Sequence, residues 1–544
     1  MFAEIINFSG KIRMLIQNNQ KSAIERGATA LGIEFGSTRI KAMLVDDANI
    51  PLASGAHDWE NRHVGNIWTY TLEDILTGMQ SAYAALKADV KQKYGVTLSK
   101  IGVIGISAMM HGYMAFDRDD KLLVPFRTWR NNTAAKAAEE LTAIFGYHIP
   151  ARWSIAHLYQ AISDGEAHVK DVSYLTTLAG YVHYLLTGKK VVGVGEASGM
   201  FPINPATKNY DSAMLVKYNR QVKGVVSYAV EDVLPHVLLA GEHAGELTQV
   251  GARLLDPQGD LQAGIPLCPP EGDAGTGMVA TNAIKPRTGN VSAGTSVFAM
   301  IVLEGELKKV YSEIDIVTTP IGAPVGMVHC NNCTSDLNAW INLFGEFASL
   351  LGVQKSDGEL FELLYNKAAE GEKDCGGLLA YNYVSNEHVT NVMHGRPLFV
   401  RTADGNLNIA NFIRTHLYSA FGALKVGCDI MLVDEKVKLD RITGHGGIFK
   451  TEGVAQGILA AALNSPVTVL NTAGDGGAWG MAILANYLLH NDKPLDTYLD
   501  KDVFADMTGV TVAPDPADVD GFNTFIKQYI AGLPIVREAV RRIK

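Results

Sequence analysis

Three features of the 544-residue chain predict an α/β fold built by internal duplication. Short apolar runs alternate with helical stretches, the 54 glycines gather where strands end, and two similar strand–tip–strand segments lie about half a chain apart. The first is residues 30–45 (ALGIEFGSTRIKAMLV), an apolar strand, a polar Gly-Ser-Thr tip and an alternating return strand. Residues 100–107 read as a buried strand and 134–145 as a helix with an apolar stripe. The second hairpin is 288–301 (TGNVSAGTSVFAMI), preceded by Lys285-Pro286-Arg287, which breaks the pattern and marks a joint near 284–288. Beyond it come a helical stretch at 411–427, a glycine turn at 444–447, an alanine-rich helix at 452–463 and a further helix opening within 471–482. The organisation expected is an extension 1–28, a first domain 29–284, a second domain 285–489 and a tail 490–544.

Composition excludes several classes. The 57 acidic and 47 basic residues give a net charge of −10 with no long basic block, so nucleic acid is not an expected partner. No segment approaches the roughly 18 consecutive apolar residues of a membrane helix, and residues 1–26 carry no signal-peptide core. A cytoplasmic protein with no membrane partner is expected. The odd number of cysteines, five, argues against a secreted disulfide framework. Cys330-Asn-Asn-Cys333 has half-site spacing for a metal, but no second pair completes four ligands, so it reads as a buried structural pair.

A tip of Gly with Ser or Thr offers unhindered backbone N–H groups and hydroxyl donors, which together can wrap phosphate oxygens. Neither tip is a Walker A loop or a dinucleotide fingerprint, because each leads into a strand rather than a helix. One such tip is an ordinary hairpin turn. Two, one per half, suit the two ends of a polyphosphate.

With these residues the chain resembles the FGGY family of carbohydrate kinases, in the superfamily of actin, hexokinase and the Hsp70 ATPase. The resemblance spans about residues 31–488 and implies two duplicated actin-like (ribonuclease H-like) ATPase domains with an interdomain cleft, the first binding sugar and the second nucleotide. The family's first phosphate motif stands here as Gly32-Ile-Glu34-Phe-Gly36-Ser37-Thr38-Arg-Ile-Lys41, with Glu34 where the family has Asp. That acid is implied to hold Mg²⁺ through water. The second motif matches at Gly289, Ser292, Gly294, Thr295 and Ser296, and the adenosine motif is similar at Gly444, Gly446 and Gly447. ATP and Mg²⁺ are the implied cosubstrate and cofactor.

The family's catalytic base falls in a Gly-Asp turn before the second domain, where Asp273 is the fitting acid. An Asp after Gly also suits a helix cap. Met110-His111-Gly112 resembles the Met-His-Gly of xylulokinases, which implies that His111 bonds a sugar hydroxyl. The Trp-x-Asp-x-Arg landmark, whose Asp and Arg help order the family's sugar site, departs, reading Trp129-Arg130-Asn131-Asn132-Thr133. Trp129 and Asn131 stay expected sugar-site residues, Asn131 because its amide can still bond hydroxyls, and Tyr381 to Glu387 retains only the glutamate of its family pattern. Ser198-Gly199 reads as scaffold, and Asp475-Gly476-Gly477-Ala478 resembles a nucleotide-domain segment. The expected function is ATP-dependent phosphorylation of a sugar hydroxyl, most simply on a ketopentose such as xylulose. The alternatives are a kinase for ribulose, glycerol or a deoxy-ketose, a sugar- or ATP-binding regulator with impaired catalysis, and an actin- or chaperone-like ATPase. The amphipathic pattern at 536–543 fits a helix covering its own domain, a homodimer contact or a solvated surface.

Overall fold

The computed structural model describes residues 17–471 and 476–543; most of the N-terminal extension and Asp475 lie outside the described residues. The chain folds as two compact units. In described residues, the first comprises 17–284, 317–324 and 476–506, and the second 285–316, 325–471 and 507–543.

The first unit is organised on a five-stranded sheet in the order Pro51–Asp58, Arg39–Asp46, Thr29–Phe35, Val103–Ala108, Glu271–Gly272. Thr29–Phe35 pairs antiparallel with the return strand of its hairpin and parallel with Val103–Ala108. The helix Leu72–Tyr94 starts at a capping box between Thr71 and Asp74, and ends where Gly95 turns left-handed at φ 71°. It buries Ile75, Met79, Ala82, Leu86 and Val90 at helical spacing. A Cβ at Gly55 would overlap the Ala82 carbonyl, so glycine lets this helix lie directly on the edge strand.

The helix Gly476–Leu489, counted with the second half in the sequence reading, packs in the first unit. A Cβ at Gly32 would overlap the Ala478 carbonyl and the Ala482 amide, and one at Gly480 would overlap the Thr276 carbonyl. Glycine on the strand and on the helix therefore brings two backbones together. Burial around almost the whole of this helix explains why its pattern shows no preferred face.

The second unit repeats the plan on a seven-stranded sheet. Six of its strands run in the order Pro324–Cys330, Val297–Val302, Thr288–Ala293, Arg441–His445, Val467–Leu470, Gly509–Val512. Here too the first strand pairs antiparallel with its hairpin partner and parallel with the later strand, and that hairpin partner pairs antiparallel again. Equal pairing directions in both units are the structural form of the repeated hairpins. The pattern at 536–543 is the end of a longer helix, Pro516–Arg542, which continues through Pro534 and buries Phe522, Phe525, Tyr529 and Leu533 in this unit's core. All five cysteines are buried and unpaired. Among the described residues no single helix is long and apolar enough to cross a membrane.

Candidate active site

In the first unit the parallel strands deliver the predicted residues at their C-terminal ends, where α/β sheets place ligands. Glu34 lies directly across the hairpin from Lys41 and beside Ser107 on the parallel neighbour. Burial pushes the Glu34 carboxyl up, while Lys41 and the Ala478 N–H pull it down. A Cβ on Gly477 would overlap the Glu34 carboxylate, so the first turn of the helix Gly476–Leu489 accommodates this acid only because it carries glycine.

Asp273 is the first residue of the helix Asp273–Ala280, and the cap position belongs to Gly272. Its Oδ1 accepts the Met110 N–H at 3.1 Å, which ties the acid to the segment after Val103–Ala108. Burial, and then the nearby Glu34, raises its pKa from 3.8 to about 6.

His111 and Gly112 both have positive φ, 73° and 104°. Such a backbone is rare for a non-glycine residue and costs about 1 kcal/mol or more. The tight turn aims His111 at the 193–199 segment, where its Nδ1 lies 3.3 Å from the Gly199 carbonyl. A Cβ at Gly199 would come within 2.6 Å of that nitrogen. Ser198-Gly199 thus packs directly against His111.

The first tip is held by side chains that sequence reasoning missed. The Trp59 indole N–H donates to the Gly36 carbonyl at 2.7 Å and the Tyr70 hydroxyl to the Ser37 carbonyl at 2.6 Å. Trp129 is close by, its indole N–H donating to Ser37 Oγ at 3.1 Å. Asn131 is 3% exposed, and its side-chain amide is engaged with the backbone of Trp68 and Thr128.

Glu271 and Glu196, also missed, are buried behind Asp273. The Glu271 carboxyl accepts the Gly195 and Glu196 N–H groups and occupies space that a Cβ at Gly193 or Gly195 would fill. Burial raises its pKa from 4.5 to about 8 and pushes Glu196 well above the carboxylate range. A folded state that holds this proton more tightly than the unfolded chain loses stability as pH rises from about 4.5 through about 8. Glu271→Gln removes that titration. Thermal unfolding followed across this pH range is expected to fall less steeply in the variant than in the wild type.

In the second unit the Gly294 carbonyl accepts the Thr334 N–H at 3.1 Å and its hydroxyl at 2.8 Å, while the Thr295 carbonyl accepts the Cys333 N–H at 3.0 Å. The loop holding these donors is fixed by Asn332, whose side-chain oxygen accepts the Val384 and Ser385 N–H groups and whose amide donates to the buried Glu387. The Cys330–Cys333 loop is therefore a brace for the second tip. Gly446, at φ 116°, passes so near the Ala293 carbonyl that a Cβ would overlap it, which places the Gly444 to Gly447 turn beside the same tip.

Duplicated α/β units, each with a carbonyl-braced glycine–hydroxyl tip, define the class of protein. Residues 29–279 match the N-terminal domain and residues 289–489 the C-terminal domain of the FGGY family of carbohydrate kinases, and the chain belongs to that family, whose members use ATP as cosubstrate. It is 22% identical to the xylulose kinase of Haemophilus influenzae over 483 residues, 84% of this chain and 90% of that protein. It is also 22% identical over 296 residues to the autoinducer-2 kinase of Salmonella paratyphi B; the match takes in 50% of each chain, so the chain spans about half the length of that relative. Its fold is similar to the crystal structure named as a xyloylose kinase from Brucella ovis, with a TM-score of 0.76, 19% identity and coverage of 94% of this chain and 99% of that one. The expected α/β fold in two duplicated units is the one observed.

Proposed function

We propose that the protein phosphorylates a hydroxyl of a neutral ketose, most simply a ketopentose such as xylulose, at the expense of ATP. The observation that carries this reading is the Asp273 carboxylate, raised toward neutrality and tied to the Met110 N–H next to His111. A carboxylate so placed takes the proton of an acceptor hydroxyl late in phosphoryl transfer. Met110, His111 and Gly112 form the sugar side; Trp129, expected there, serves the first tip through Ser37 Oγ, and the Asn131 amide is taken up by the Trp68 and Thr128 backbone. Gly36, Ser37, Thr38 and Lys41, with Gly294, Thr295 and Ser296, bind phosphate oxygens; Gly444, Gly446 and Gly447 serve the nucleoside.

Mg²⁺ fits the residues present. It keeps several waters and takes phosphate oxygens, so it needs only one or two carboxylates, and Glu34 and Asp273 are near enough for Glu34 to raise the Asp273 pKa. Among the described residues no group of three His, Cys, Asp or Glu forms an all-protein metal cage. Glu34 would hold the ion through water, and the ion supplies neutralisation of phosphate charge when bound. Asp273 then orients the acceptor hydroxyl, and the tip N–H groups stabilise charge on the transferring group.

A panel of ketopentoses, ketohexoses, polyols and aldonic acids, scored by ADP release against a sugar-free blank, tests the substrate. Strong stimulation by one ketopentose is expected; stimulation by an aldonic acid or a polyol alone overturns the ketopentose reading. A base that titrates at about 6 must lose its proton to work, so kcat/KM is expected to fall as pH drops below about 6. A profile flat down to pH 4.5, well below that titration, contradicts the assignment of the base.

A further inference from the structure

We propose that Trp59, Tyr70 and Trp129 are positioning residues for the nucleotide phosphates, acting through the backbone and hydroxyl of the first tip; this rests on the kinase reading above. In a trans peptide the carbonyl and the N–H that follows it point in opposite directions, and the described chain contains no cis peptide bond. Trp59 holds the Gly36 carbonyl and Tyr70 the Ser37 carbonyl. The N–H groups of Ser37 and Thr38 therefore both point away from the rings. Among the described residues neither N–H donates to a backbone or side-chain acceptor. Two successive N–H groups directed to one side make a concavity for an anion. Trp129 completes it. Its indole N–H occupies a lone pair of Ser37 Oγ, which leaves the hydroxyl hydrogen to be donated elsewhere.

The rings are built to hold still. Trp59 is 7% and Tyr70 1% exposed. They stack at 3.9 Å between centroids, with Phe35 edge-on to Trp59 at 6.0 Å. In the second unit Thr334 and Cys333 hold the Gly294 and Thr295 carbonyls, so the Thr295 and Ser296 N–H groups likewise point away from what holds the tip. Carbonyls at equivalent tips of a duplicated fold are thus tied by aromatic side chains in one copy and by a loop in the other. What is kept is the direction of the N–H pair, as expected if that direction is what the ligand requires.

Tyr70→Phe tests the proposal because it removes the hydroxyl donor and leaves the ring stack. The KM for ATP is expected to rise about three- to tenfold, the effect of losing one hydrogen bond that orients a donor to a charged group. The KM for sugar is expected to stay at its wild-type value, and the unfolding midpoint without ligand to fall only by what the loss of one partly buried hydrogen bond costs. Trp129→Phe, which removes a different donor to the same tip, is expected to move the KM for ATP in the same direction and gives an independent answer if Tyr70→Phe folds poorly. Folded, active variants with a wild-type KM for ATP overturn the proposal. Wild-type protein that is stabilised against heat by Mg·ADP but shows no sugar-dependent turnover overturns the kinase reading alone, and the shift in that stabilisation between wild type and Tyr70→Phe then decides the proposal. A wild type that binds no nucleotide overturns both.

Discussion

Asp273→Asn is expected to lower kcat by about two to four orders of magnitude, the usual worth of a positioned general base. The change is nearly isosteric and leaves an oxygen to accept the Met110 N–H, so the turn before Asp273–Ala280 has no reason to move. What disappears is the group that accepts the sugar proton. Because the carboxylate acts on the acceptor, the affinity for ATP is expected to change little, and the loss should fall on kcat. Steady-state kinetics with saturating sugar, together with nucleotide binding followed by thermal shift, separates the two. A variant that turns over like the wild type removes Asp273 from the mechanism. The same substitution removes a buried acid whose pKa is raised, so unfolding near neutral pH is expected to be unchanged or slightly harder. A drop in activity accompanied by a large loss of stability would therefore point to misfolding rather than to lost base catalysis.

Gly32→Val is expected to be the most damaging single change to the fold, costing about 3 kcal/mol or more because the added atoms meet backbone rather than flexible side chains. The Cβ would overlap the Ala478 carbonyl and the Ala482 amide, and the helix cannot retreat freely because Gly480 is pressed in turn on the Thr276 carbonyl. Displacing Gly476–Leu489 also disturbs the Ala478 N–H that helps hold Glu34. Stability and nucleotide-linked activity are therefore expected to fall together. Urea unfolding with intact wild-type and variant protein measures the first, and an unchanged midpoint would contradict this packing.

Much of this was legible in the chain. Both hairpins follow from apolar strands around a polar Gly-Ser-Thr or Gly-Thr-Ser tip, whereas the register that sets Glu34 opposite Lys41 was not legible, because the first strand is buried on both faces and shows no alternation. Asp273 was singled out only through the family resemblance, which places the base in a Gly-Asp turn before the second domain, since an Asp after Gly alone reads equally as a helix cap. Contacts between side chains and distant backbone were not. Trp59 and Tyr70 reach carbonyls 23 and 33 residues away, and such bonds leave no period in a sequence. The brace at Cys333 and Thr334 was hidden in the same way, since a Cys-x-x-Cys spacing draws attention to sulfur whereas the backbone and a neighbouring hydroxyl make the bonds. Asn131 reads as a polar group available to a sugar, yet its amide is committed to neighbouring peptides. Glu196 and Glu271 were missed because burial of a carboxyl is a tertiary event, and only the glycines at 193 and 195 hint at the space it needs.

Transfer of label from γ-³²P-ATP into sugar by the full chain, with Mg²⁺ and D-xylulose and with Asp273→Asn alongside, tests the central claim most directly. A labelled sugar phosphate is expected to form with the ketopentose, not to form without it, and to be reduced to a trace by the substitution. Label appearing only as inorganic phosphate, at a rate indifferent to sugar and to Asp273, would contradict that claim.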